Sequence, residues 1–233
     1  SRFGIDHDLH GKEVILVKDL LVKEFRLARH PTLFIFPFLG LMLMIPAYPY
    51  FVAFIYTCLS VFFIFLQGRE NRDIPFTVSL PVNKRDVVKA RCWFIAIIEV
   101  FEILVAVPFA IIGIKINPNP EGNPVGMEAN VAFFGFVFIL YALYNLIFLP
   151  IFYKTAYRAG IALLIASTAI SLYIVAIEGS IRFIPALKSF LDTSAPAAQI
   201  AQLPILVAGI VIFAASTYLA FRMSASRFDK VDM

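Results

Sequence analysis

Residues 31–68 read PTLFIFPFLGLMLMIPAYPYFVAFIYTCLSVFFIFLQG, 38 positions without one charged side chain. As a single α-helix they would extend about 57 Å, nearly twice the roughly 30 Å hydrocarbon core of a bilayer. The run must therefore fold back. The break is legible at Pro46-Ala-Tyr-Pro-Tyr50, where two prolines remove backbone donors and the tyrosines suit an interfacial turn. Span one is placed near 31–46 and span two near 50–67. The first is short and carries Pro37, which predicts a kink or a shallow path.

The rest of the chain continues in the same vein. Of its 233 residues 61% are hydrophobic and 15% charged, with 25 Phe. A soluble domain is nearer half apolar and a quarter charged, and a disordered chain is poorer still in apolar residues, so both classes are excluded. Four more runs, at 93–114, 131–153, 159–177 and 203–221, are each long enough to cross. Over such lengths in lipid only helices satisfy their own backbone groups, and nothing alternates as a membrane barrel would. The expected fold is an all-α polytopic membrane protein of six transmembrane helices. The first dozen residues are polar, unlike a signal peptide, and Cys58 and Cys92 make no disulfide framework.

Orientation follows from the basic residues. Seventeen of the 20 Lys and Arg fall before span one, between spans two and three, between four and five, or in the tail 222–233, against Lys115, Arg182 and Lys188. That asymmetry places both termini in the cytoplasm. It also assigns the net charge of +4 to the membrane flanks rather than to nucleic acid.

Outside the spans, residues 1–30 form an expected cytoplasmic tail and interfacial helix. Within 13–29, Val14, Val17, Leu21 and Phe25 recur at helical steps, and Lys18, Lys23, Arg26 and Arg29 supply a basic face. Asp6, His7, Asp8 and His10 have the composition of a metal cluster but lie in a short terminal segment, and a solvated tail is the expected reading. The loop 68–91 is charged yet carries Ile74, Phe76, Val78, Leu80 and Val82, which suggests docking onto the membrane surface or a cytoplasmic partner. Asn83 reads as an N-cap with Asp86 three residues on, so a helix starts at Lys84 and runs into span three. The outer segment 178–202 is too apolar for a free loop and is read as a short helical hairpin or interfacial helix, an external gate or a packed lid.

Span three holds Glu99 and Glu102, which share a helix face. Ionised acids near mid-membrane cost on the order of 2.5–3.5 kcal/mol each on insertion scales, so neither should face lipid. They read as a polar surface on a transport path, or as buried contacts with Asn145, Ser167, Thr168 or a second subunit, or as a proton relay. No catalytic histidine constellation and no phosphate-cradling Gly-x-x-x-x-Gly-Lys-Ser/Thr occurs. ATP-driven work would need another chain to bind the nucleotide.

An amphipathic N-terminal helix, six spans, a charged loop between spans two and three and an apolar outer segment between five and six together resemble the membrane subunits of ABC-2 type exporters. The stretch NRDIPFTVSLPVNKRDVVKAR, residues 71–91, is similar to the Leu-Pro-Val-x-Arg/Lys-x-x-Ile/Val-Val run of bacterial permeases in that family. Among its subgroups the chain resembles the permeases of the phenol-soluble-modulin exporter type. The resemblance implies a two-permease core, here a homodimer, joined to cytoplasmic ATPase subunits that carry ATP and Mg, with no cofactor on this chain. It implies that loop 68–91 carries the coupling helix, with Arg69, Asn71, Arg72, Asp73, Phe76, Thr77, Leu80, Pro81, Lys84 and Arg85 at the ATPase contact. The expected function is a permease for an amphipathic or lipophilic substrate such as a peptide. The other readings are an autonomous proton-coupled carrier using Glu99 and Glu102, and a non-transport immunity or scaffold protein.

Overall fold

The computed structural model describes residues 17–25, 35–71, 73, 76–77, 82–117, 119, 122–155 and 157–230, without the side chain of Pro37. After a short helix α1 (17–25) comes a 3-10 helix at Phe36–Met44. The long helices are α2 (Phe51–Glu70), α3 (Lys84–Ile116), α4 (Val131–Lys154) and α5 (Ala159–Phe183). Two short helices, α6 (Pro185–Leu191) and α7 (Pro196–Ala201), precede α8 (Leu203–Phe228). No strand occurs among the described residues.

Among the described residues five helices are long and apolar enough to cross a membrane, against six expected. The difference lies in the first span. Where 31–46 is described, its helix is the nine-residue 3-10 segment, about 18 Å at roughly 2 Å rise per residue. Pro37 withdraws a donor from its first turn, and Pro46 with a left-handed Ala47 (φ 58°) ends it. The segment lies on α3 through small residues. A β-carbon at Gly113 would sit 2.3 Å from the Leu43 carbonyl oxygen, and one at Gly40 would sit 2.9 Å from Ala106 Cα.

Helix α4 is the hub. Its sequence is apolar all round, the mark of a helix surrounded by others, and sixteen of its residues are buried. Asn130 caps it, accepting from the Phe133 amide at 3.0 Å. Helix α8 approaches α4 where Gly135 meets Gly209; a β-carbon on Gly209 would fall 2.3 Å from the Gly135 oxygen. On the α2 side aromatic rings fill the seam, with Phe65 4.5 Å from Phe152 and 5.3 Å from Phe148.

Helix α3 begins where expected, with Asn83 accepting from the Arg85 amide at 3.1 Å. Its inner turns carry α1, which sets Leu20 against Val87 and Ala90 and Phe25 edge-on to Phe94 at 4.8 Å. Helix α5 runs on to Phe183, so Glu178 and Arg182, expected in the outer segment, belong to its last turns. The rest of that segment is the pair α6 and α7. Residues 1–16, including Asp6, His7, Asp8, His10 and Val14, lie outside the described residues, as do Arg26, Arg29, Ile74 and Val78.

Candidate functional site

Three stretches remote in sequence meet around Arg91, two turns into α3. Its side chain is 3% exposed. Nε donates to Glu24 Oε2 at 3.0 Å, and Nη2 donates to both Glu24 oxygens at 3.1 and 2.9 Å and to Asp73 Oδ2 at 2.7 Å. The Lys23 ammonium lies 2.6 Å from Asp73 Oδ1 and donates to the Thr77 hydroxyl. Thr77 in turn donates to the Asp73 carbonyl at 2.7 Å. Two cations thus oppose two carboxylates in a locally neutral knot. Burial alone pushes the Asp73 carboxyl up, but Arg91 and Lys23 outweigh it and hold the group below the ordinary carboxylate range.

Helix α2 shapes the place for the guanidinium. The Phe65 ring centroid is 5.3 Å from Arg91 Cζ, and a β-carbon at Gly68 would sit 3.4 Å from Nη1. No member of this knot is tolerable in the interior without its partners. Asp73 and Thr77 are thereby tied to α1 and α3 together, beside Phe65 and Gly68 of α2.

The residues expected at the ATPase contact divide into groups. Asp73 and Thr77 face inward, in the knot. Arg69, Asn71, Phe76 and Arg85 are exposed, Phe76 by 65%. Arg85 pairs with Asp229 at 3.2 Å, and Lys84 stands 5.6 Å from the Phe228 ring, which ties the start of α3 to the end of α8. Arg72, Leu80 and Pro81 lie outside the described residues. Sequence reasoning missed Lys23, Glu24 and Arg91 as one unit. The available signal was Glu24, an acid at the seam of a largely basic helix face.

Glu99 and Glu102 are both fully buried. Asn145 Nδ2 donates to Glu99 Oε2 at 2.8 Å, and the Tyr141 hydroxyl donates to Glu102 Oε2. Thr57 of α2 lies beside Glu102. Of the neighbours weighed from sequence only Asn145 is engaged. Ser167 and Thr168 instead donate to the Leu164 carbonyl of their own helix, at 3.1 and 2.8 Å. The acids thus join α2, α3 and α4. Neither lines the open groove between α3 and α8 or the cavity beside the 122–130 loop.

At the opposite end of the bundle the 122–130 loop is held to α5 and α6. Met127 N donates to Glu178 and Glu128 N donates to Asp192, at 3.0 and 2.9 Å. Asn130 reaches the Leu191 and Thr193 carbonyls, at 2.6 and 3.0 Å. Burial, reinforced by the Asp192 charge, pushes the Glu128 carboxyl up. A cavity of about 690 Å³ opens here between the loop and the ends of α5 and α6.

A family model described as "ABC-2 family transporter protein" matches residues 19–225, nearly all of the chain. The chain belongs to the ABC-2 transporter family. Comparison with curated proteins and with solved structures found no match. As an ABC-2 membrane component this chain is a multi-pass transmembrane permease and not itself the catalytic subunit. Membership of an ABC transporter implies ATPase partners. In an ABC-2 permease the knot at Arg91 joins the segment between the second and third expected spans to the helices that cross.

Proposed function

We propose that this chain is the permease of an ATP-driven exporter whose cytoplasmic ATPase acts on it through residues 68–91. The single observation that supports this reading is the Arg91 knot. A force applied to the exposed Phe76 and Arg69 reaches α1, α2 and α3 through Asp73 and Thr77, the Glu24–Arg91 fork and the continuous body of α2. ATP and Mg reside on the partner, two permease copies form the path, and both termini face the cytoplasm of a bacterial cell. The substrate is amphipathic or lipophilic, peptides included, because the open helix faces are aliphatic and aromatic. The phenol-soluble-modulin exporter type remains the subgroup proposed.

Co-expression with the neighbouring ATPase tests this. The complex should co-purify, and ATP hydrolysis should drive export from proteoliposomes. Phe76→Glu should break the complex, whereas Asp73→Asn should leave it assembled with hydrolysis uncoupled from export. A chain that never retains an ATPase refutes the reading.

The buried acids favour a second reading, a proton-coupled carrier, because Glu99 Oε1, Glu102 Oε1, Asn145 Oδ1 and Thr57 Oγ1 have no hydrogen-bond partner among the described residues. That carrier would move substrate alone under a pH gradient, and Glu99→Gln would stop it. A scaffold or immunity protein would do neither.

A further inference from the structure

Between α3 and α8 runs an open groove of about 700 Å³. One wall is Trp93, Ile97, Phe101 and Leu104; the other is Phe213, Thr217 and Tyr218. At one mouth stands Lys89, exposed, with Arg222 exposed on the facing helix one turn beyond Tyr218. Neither cation has an ion pair among the described residues.

Three features define what fits. From Lys89 to Leu104 the groove follows α3 for about 22 Å, matching the roughly 20–22 Å depth of one leaflet, headgroup included. The apolar walls begin at Trp93 and Tyr218, 57% and 58% exposed, amphipathic rings of the kind that sit at headgroup level. Below them the buried Thr217 hydroxyl has no partner among the described residues. Thr155, Ser167 and Thr168 donate back to their own helices, whereas the Thr57 and Ser224 hydroxyls, like that of Thr217, have no partner among the described residues. An unspent hydroxyl five residues before Arg222, about 7.5 Å of helix rise deeper, matches the ester oxygens that follow a phosphate.

We infer that this groove is a binding site for one anionic phospholipid of the leaflet at the Lys89 end. Its phosphate is held by Lys89 and Arg222, an ester oxygen by Thr217, and one acyl chain lies along Ile97, Phe101 and Leu104. The inference requires only that α3 and α8 cross the membrane and is independent of the ATPase reading.

Trp93 is the only tryptophan of the chain, so its fluorescence reports on the groove directly. The full chain would be reconstituted at low density in phosphatidylcholine vesicles. A fixed fraction of the lipid would be phosphatidylglycerol brominated on its acyl chains, or the same fraction of brominated phosphatidylcholine. Brominated phosphatidylglycerol should quench Trp93 with the higher relative affinity, about fivefold for each cation engaged. Lys89→Gln with Arg222→Gln should abolish the preference, and Ala214→Phe, which narrows the groove from an exposed position, should reduce it. Arg182→Gln at the opposite end should leave it unchanged. Equal quenching by the two lipids overturns the inference. So does a Trp93 shielded from both until the protein is diluted, which would assign the groove to a second copy of the chain.

Discussion

Replacing Arg91 by Ala tests the knot most directly. The substitution removes three hydrogen bonds to Glu24 and one to Asp73, and leaves two carboxylates facing each other in a site where the arginine was 3% exposed. Breaking a buried ion pair from one side costs about 3–5 kcal/mol. Here the loss falls on the docking of α1, Asp73 and Thr77, because α2–α8 retain their own aromatic and glycine contacts. That shifts the undocked population by roughly two to three and a half powers of ten. Hydrogen exchange of residues 17–25 in the purified protein reads the shift as a matching loss of protection, with α4 unchanged. Glu24→Gln combined with Arg91→Ala should recover part of the loss, because the orphaned Glu24 charge disappears with the arginine while Lys23 and Asp73 still pair. Arg91→Lys should fall between, since one ammonium cannot fork onto both acids. Unchanged protection of α1 in Arg91→Ala, or a Glu24→Gln, Arg91→Ala double variant worse than the single, would refute the reasoning.

Three further outcomes are expected. Glu99→Leu strands the Asn145 amide and should lower stability by about 1–3 kcal/mol, whereas Glu99→Gln should be milder; thermal unfolding in detergent separates them. Gly209→Ala drives a β-carbon to 2.3 Å from the Gly135 oxygen and should destabilise, while Gly179→Ala meets nothing within 4 Å and should be neutral or gain up to about 1 kcal/mol from helix propensity. The two melting temperatures should move in opposite directions or differ by several degrees. Because the folded Asp73 carboxyl lies below the ordinary value of about 3.9, its contribution is present above that value and lost as pH falls through it toward the folded one. Docking of α1 should be flat from pH 8 to 5 and weaken below about 4, a step that Asp73→Asn removes; exchange at graded pH reads it.

The five long helices were legible from apolar length, and the start of α3 from Asn83. The first span was not. Residues 31–46 have the composition of a crossing α-helix, but with Pro37, Pro46 and the glycine contact with α3 the described part winds as a 3-10 helix instead. For the candidate site, Asp73 and Thr77 stood out within the resemblance to ABC-2 permeases. Their inward orientation did not, because it depends on Lys23 and Arg91 arriving from positions 54 and 18 residues away. Asn145 was among the partners weighed for Glu99, while Tyr141 read as one more aromatic in an apolar run.

Hydrophobic length and charge content are properties of a segment by itself, so the sequence alone determined that this chain is a helical membrane protein with its basic residues concentrated on one side. Which buried charge meets which is a property of the packed bundle. Only the tertiary structure, by bringing Glu24, Asp73 and Arg91 within hydrogen-bonding distance, decided that α1, Asp73 and the start of α3 are held together.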